Sequence, residues 1–157
     1  MDSIKFIDLM DLMNKYIDNF DIIKEKHLSL LSELSIVTEL DNNLYLEHVE
    51  KISNMGTIII CYIGTPLSEN FDIIASGTII IEPKFIRGGK NVGHIEDIVV
   101  KSTYRGRHLS KDILNILKNI AGENNCYKVI LDCNEEIQRV YIKSGFEQKG
   151  IQMGLYF

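Results

Sequence analysis

The sequence has no tryptophan, two prolines and three cysteines among its 157 residues. With only Pro66 and Pro83 to interrupt it, the chain leaves most punctuation to glycine and asparagine. Cys61, Cys126 and Cys133 are odd in number and form no CxxC pair, which argues against a disulfide scaffold and a zinc ribbon. They read as three reduced thiols that pack as small hydrophobes, and no metal is expected. No apolar run approaches the roughly 20 residues that span a bilayer. Residues 1–6 carry no basic stretch leading into an apolar one, so a cytoplasmic protein without a membrane partner is expected. Positive charge is not in excess: 17 Lys and Arg against 22 Asp and Glu give a net −5, which argues against nucleic acid as the main partner. Low-complexity segments, long linkers and internal repeats are also missing. The length fits one domain over 1–157.

What is present is an ordinary globular balance, 45 % hydrophobic, enough for a sizeable core. Leu9, Met10, Met13, Tyr16 and Ile17 recur at helical spacing, and Leu28, Leu30, Leu31 and Leu34 form a second apolar cluster. A short strand over 4–7 and a helix over 44–52 flank this region. β-branched runs over 57–63 and 73–81, joined by a turn-rich connection, predict an antiparallel pair. A third strand is predicted over 93–100, where Glu96 and Asp97 break the apolar pattern and need a reason. After a loop over 101–107, Leu109, Ile113, Leu114, Ile116, Leu117, Ile120 and Ala121 make one wide helical stripe, with Gly122 placed to end it. A strand over 128–132, a helix over 134–143 and a closing strand or hairpin from 145 complete a mixed α/β order around one sheet.

Strand, basic loop and helix in succession present unpaired backbone N–H groups where the helix dipole favours anions, and Arg105, Arg107 and Lys111 add positive charge there. On these residues alone the segment is either a solvated basic turn or a pyrophosphate site. Tyr104-Arg105-Gly106-Arg107-His108-Leu109-Ser110-Lys111 resembles the coenzyme A loop of the GNAT acetyltransferase superfamily, Arg/Gln-x-x-Gly-x-Gly/Ala. Arg105 fits, while His108 and Ser110 replace the patterned glycines and add side chains where backbone approaches phosphate. His108 either bonds a phosphate or faces solvent.

Three further blocks resemble the glucosamine-6-phosphate N-acetyltransferases of that superfamily: Gly93-His94-Ile95-Glu96-Asp97-Ile98-Val99-Val100, Cys126-Tyr127-Lys128-Val129-Ile130-Leu131-Asp132-Cys133, and Val140-Tyr141-Ile142-Lys143-Ser144-Gly145-Phe146. The resemblance covers roughly 80–153. It implies a GNAT fold, a mixed, mostly antiparallel sheet flanked by helices with splayed central strands. It also implies acetyl-CoA as cosubstrate, a sugar phosphate as acceptor and a homodimer.

By the same resemblance Glu96, Asp97 and Asp132 hold the sugar and its amine, and Tyr141 gives a proton to the coenzyme A sulfur. A phenol with an ordinary value near 10 is protonated at neutral pH and suits that task. Backbone N–H groups of Ile98, Val99 and Val100 face the thioester carbonyl. The cofactor set is completed by Arg105, Gly106, Arg107, His108, Leu109, Ser110, Lys111 and Lys143. Ser32, Lys84, Arg87, Tyr127 and Lys128 are the remaining expected substrate contacts, the cations holding the phosphate. Tyr156 stands where the family carries an arginine that reaches the substrate. The reaction expected is direct acetyl transfer within a ternary complex, an early step toward UDP-N-acetylglucosamine. The alternatives are a GNAT enzyme with another amine acceptor and a non-catalytic acetyl-CoA-binding module.

Overall fold

Isoleucine-rich stretches form the centre of the sheet because branched side chains pack well on a pleated surface. The computed structural model describes residues 3–157. β2 (Gly56–Ile63) and β3 (Asp72–Glu82) pair antiparallel, from Gly56 opposite Ile80 to Ile63 opposite Asp72. β1 (Lys5–Asp8) joins the outer edge of β2, and β4 (Asn91–Val100) lies antiparallel to β3. β5 (Cys126–Ile130) is parallel to β4, giving the order β1-β2-β3-β4-β5.

α1 (Leu9–Lys15), α2 (Phe20–Leu31) and α3 (Asn42–Ser53) follow from the N-terminal apolar clusters. Asp8 caps α1 by accepting from the N–H groups of Met10 and Asp11, and Asp41 caps α3 through Leu44. Their buried faces, with Leu9, Leu12, Ile23, Leu30, Tyr45 and Val49, close over Ile58, Ile60 and Ile73 on one side of the sheet.

The other side is covered by α4 (Leu109–Glu123), whose stripe of Leu109, Ile113, Leu114, Leu117 and Ala121 is buried against Ile59, Ile74, Ile79 and Ile95. Each fully buried leucine or isoleucine contributes about 1.5–3 kcal/mol, so this stripe alone anchors the strand–helix unit. Among the described residues no helix is long and apolar enough to cross a membrane.

Four expectations are corrected. Gly122 does not end α4; the helix runs one residue further and the chain reverses at Asn125, a non-glycine residue in the left-handed region at φ 54. Asparagine tolerates that conformation through its short polar side chain. The strand expected over 128–132 occupies Cys126–Ile130 instead, because its pairing with β4 stops at His94 opposite Ile130. The helix expected over 134–143 is divided into a 3-10 turn, Glu135–Ile137, and α5 (Gln138–Lys143). No closing strand forms: residues 146–157 have no regular structure, and Ile151, Met153, Leu155 and Phe157 are 80–115 % exposed. Within one chain these apolar side chains find nothing to bury against.

Candidate functional site

Neighbouring residues of a regular strand point to opposite faces, so Glu96 and Asp97 could not both face one site from a flat β4. Asp97 breaks the alternation with φ 53. Asp97 and Ile98 together stand opposite Gly77 of β3, a bulge between the pairs Thr78–Glu96 and Ser76–Val99. Gly77 supplies the room. A Cβ there would stand 2.4 Å from Ile98 Cδ1 and 2.7 Å from Ile113 Cγ2. Both acids are exposed as a result.

Asp132, two residues past β5, joins them. Burial first, and then the negative charges of Asp97 and Asp132, push the Glu96 carboxyl above its ordinary value. Asp132 Oδ2 also accepts a 2.7 Å hydrogen bond from Gln152 Nε2 in the C-terminal segment.

Asp132 also lines a cavity of about 400 Å³ with Cys133 and Tyr141, closed on one side by residues 146–152. Tyr141 is buried in the α4 core and meets Phe146 edge-on at 6.2 Å between ring centroids. Burial, and then neighbouring Cys133, push its phenol above the ordinary value, so it holds its proton at neutral pH. Glu96 is not among the residues that line this cavity. Asp132 is therefore the residue shared by the carboxylate cluster and the tyrosine cavity.

The expected cofactor residues gather where β4 parts from β5. β4 continues to Val100 while its last partner on β5 is opposite His94, so Ile98, Val99 and Val100 have no neighbour on that side. The Val99 side chain is buried toward α1–α3, whereas Ile98 and Val100 pack toward α4. A 3-10 turn, Ser102–Tyr104, leads into the basic loop. Arg105 Nε donates to the Val100 carbonyl at 3.2 Å, tying the loop to the strand end. Arg107 sits 4.7 Å over the Tyr104 ring. Gly106 has φ 78, and His108 takes the N-cap position of α4 at φ 63, where glycine is favoured. The His108 side chain caps nothing, so the first N–H groups of α4, those of Leu109, Ser110 and Lys111, have no side-chain cap. The Leu109 side chain itself belongs to the core. Lys143, exposed in the last turn of α5, has no ion pair to this loop.

The expected substrate contacts divide into groups. Arg87 and Lys128 converge on Tyr127, each 5.6 Å from its ring centroid. Arg87 reaches there from a tight turn, Arg87–Gly89, in which it has φ 58. Lys84 forms an ion pair with Glu82. Ser32 is the C-cap of α2, and its hydroxyl donates to the Ser29 carbonyl at 2.6 Å.

Sequence reading missed three participants. Glu33 accepts from the Ser102 N–H and lies 3.7 Å from Arg105, which joins the end of α2 to the basic loop. No local pattern signals a contact between residues 69 positions apart. Gln152, bonded to Asp132, is similarly invisible. His94, bonded to Glu82 at 2.6 Å, had a signal: it stands two residues before Glu96 and so shares its face.

The chain matches the acetyltransferase (GNAT) family over residues 25–146. It is 40 % identical to a probable glucosamine 6-phosphate N-acetyltransferase 2 of Oryza sativa subsp. japonica over 131 residues, 83 % of this chain and 79 % of that protein. Glucosamine 6-phosphate N-acetyltransferase 1 of Dictyostelium discoideum is 38 % identical over 140 residues, 89 % of this chain and 86 % of that protein. The crystal structure of glucosamine-6-phosphate N-acetyltransferase from Arabidopsis thaliana superposes with a TM-score of 0.82 at 31 % identity, covering 99 % of both chains. A parted β4–β5 pair beside a basic helix start, with these relationships along most of the chain, identifies the protein as a member of the GNAT acetyltransferase family, among the glucosamine 6-phosphate N-acetyltransferases.

Proposed function

We propose that residues 1–157 act as one cytoplasmic acetyltransferase domain that moves acetyl from acetyl-CoA to the amine of D-glucosamine 6-phosphate, on the way to UDP-N-acetylglucosamine. The observation that carries this reading is the meeting of Glu96, Asp97 and Asp132 beside the parted strands.

The basic loop suits coenzyme A: the first turn of α4 has no side-chain cap, and Arg105 and Arg107 line the approach. Acetyl-CoA, when bound, supplies the acetyl group as a thioester. Glu96, aided by Asp132, takes the proton of the incoming ammonium, directly or through water, and leaves a neutral nitrogen. That nitrogen bonds to the acetyl carbon, the C–S bond breaks, the Tyr141 hydroxyl gives its proton to the departing sulfur, and the phenolate takes back, through water, the second proton that the new amide nitrogen sheds. Backbone N–H groups at Ile98 to Val100 steady the carbonyl oxygen. Transfer is direct within a ternary complex, and the three cysteines take no part.

Arg87 and Lys128, meeting at Tyr127, are the cations for the sugar phosphate; Lys84 joins them only by leaving Glu82. Their convergence favours a phosphorylated acceptor over an unphosphorylated amine. A homodimer fits the C-terminal segment, where Ile151, Met153, Leu155 and Phe157 alternate with other residues in strand fashion, and β5 has an unpaired outer edge.

The deciding experiment supplies purified protein with acetyl-CoA and a panel of amines and follows release of free thiol. Turnover confined to glucosamine 6-phosphate supports the reading; turnover only on other amines, or cofactor binding without turnover, rejects it.

A further inference from the structure

Residues 146–152 run as a strap along one wall of the tyrosine cavity and are fastened at their start, middle and end. At the start the Phe146 backbone N–H donates to the Tyr141 carbonyl at 3.0 Å, and the two rings meet edge-on. In the middle Gln148 Oε1 accepts from Gln138 Nε2 at 3.1 Å. At the end Gln152 Nε2 donates to Asp132 Oδ2 at 2.7 Å, the shortest of these bonds and the one made to a carboxylate. In the proposed reaction Asp132 has a task and Gln152 has none.

An exposed aspartate held by nothing samples several rotamers, and its carboxylate turns broadly about the last torsion. Asp132 lies two residues past β5, so no strand pairing restrains its backbone either. The Gln152 amide supplies the restraint. It occupies Oδ2 and leaves Oδ1, which has no hydrogen-bond partner among the described residues, to accept from a ligand. The donor is also neutral. A lysine or arginine in its place would cancel the charge that attracts an ammonium group, whereas an amide fixes the direction of the carboxylate and leaves its charge intact. A fixed, uncancelled acceptor in the cavity wall is what transfer to an amine requires.

We propose that Gln152 is a positioning residue for acetyl transfer: by its hydrogen bond to Oδ2 it aims the Asp132 carboxylate at the acceptor amine and fastens the strap over the tyrosine cavity. The inference rests on the reading of Asp132 as a contact of that amine. Gln152 acts through Asp132 and touches no reacting atom.

The test compares the full-length protein with three variants. Gln152→Met keeps the side chain's length and loses the donor, Gln152→Glu sets a second carboxylate against the first, and Asp132→Ala removes the acceptor. The first readout is steady-state kinetics with each substrate varied in turn. Gln152→Met should lower kcat/KM for glucosamine 6-phosphate by roughly fivefold, the size one hydrogen bond supports, with KM for acetyl-CoA unchanged. Gln152→Glu should lower it further. A strap that only fills space would tolerate methionine, and one that only holds the fold would raise both KM values. The second readout is the rate of tryptic cleavage after Lys149, inside the strap, which tracks how often the strap opens. Gln152→Met and Asp132→Ala should each speed cleavage severalfold, and the double variant should be no faster than either alone. Parent-like kcat/KM in Gln152→Met, equal losses for both substrates, or cleavage effects that multiply in the double variant overturn the proposal. Cleavage needs no turnover. A parent protein inactive on glucosamine 6-phosphate would therefore reject the proposed reaction, while the cleavage comparison still judges the bond between Gln152 and Asp132.

Discussion

Glu33, one residue beyond Ser32 at the end of α2, accepts a 2.7 Å hydrogen bond from the backbone N–H of Ser102, at the start of the turn that leads into the basic loop. The same carboxylate lies 3.7 Å from the Arg105 guanidinium, which in turn holds the Val100 carbonyl. The helical layer on one face of the sheet is thereby joined to the basic loop. Glu33→Ala should loosen the loop and raise KM for acetyl-CoA severalfold, with a smaller change in kcat. Steady-state kinetics with acetyl-CoA varied would show it, and an unchanged KM would remove Glu33 from loop positioning.

Tyr141→Phe keeps the ring contact with Phe146 and removes only the hydroxyl. The rate of thiol release should fall by about 10²-fold or more, the range of a general acid–base contribution, while KM for both substrates changes little. Parent-like kcat in this variant would mean that another group protonates the sulfur.

Gly77 is the point where β3, the β4 bulge and α4 come closest, with Ile98 Cδ1 and Ile113 Cγ2 inside 3 Å of any added Cβ. Gly77→Ala should cost about 1–3 kcal/mol through overpacking. Because relief requires Ile98 to move, activity should drop as well. Urea unfolding and kcat/KM measured on one preparation would test both effects.

His108 occupies the left-handed region without a capping bond to compensate. His108→Gly should therefore stabilise the fold by about 1 kcal/mol, since a left-handed non-glycine residue costs roughly 1–2 kcal/mol. If the imidazole contacts a phosphate, acetyl-CoA affinity falls in the same variant; if it faces solvent, affinity holds or improves. Thermal melts and calorimetric titration separate the two.

The second helix, α2, holds a buried imidazole. Burial lowers His27 from 6.5 to about 4, and its Nδ1 lies 2.8 Å from the Tyr45 hydroxyl. Between those two pH values the unfolded chain binds a proton that the folded chain does not. Stability present above pH 6.5 is thus lost as pH falls toward 4, by about 2–3 kcal/mol from this group. Denaturant titrations at pH 7.5 and 4.5 should show a smaller loss in His27→Gln than in the parent.

Much of this architecture is legible in local patterns. The isoleucine runs of β2 and β3 and the stripe of α4 each bury one face, and a periodicity of two or 3.6 records that directly. The site was half legible. Glu96 and Asp97 announced themselves as charges where a strand should be apolar, yet the left-handed Asp97 that turns both outward depends on Gly77 of another strand. Arg87 and Lys128 were expected at a phosphate through the family resemblance alone; their meeting at Tyr127 has no signal in local pattern. The end of α4 shows the limit of residue preferences: Gly122 carries the stronger stop signal, but the chain turns at Asn125, where β5 must begin to meet Asn91.

The bare apolar segment at the C-terminus links folding to mass action. If Ile151, Met153, Leu155 and Phe157 bury themselves in a second copy, part of each chain's stability is contributed by its neighbour. The melting temperature would then climb with protein concentration, and highly diluted samples would lose the contacts that hold residues 146–152 over the tyrosine cavity. Specific activity would fall on dilution before the fold itself is lost.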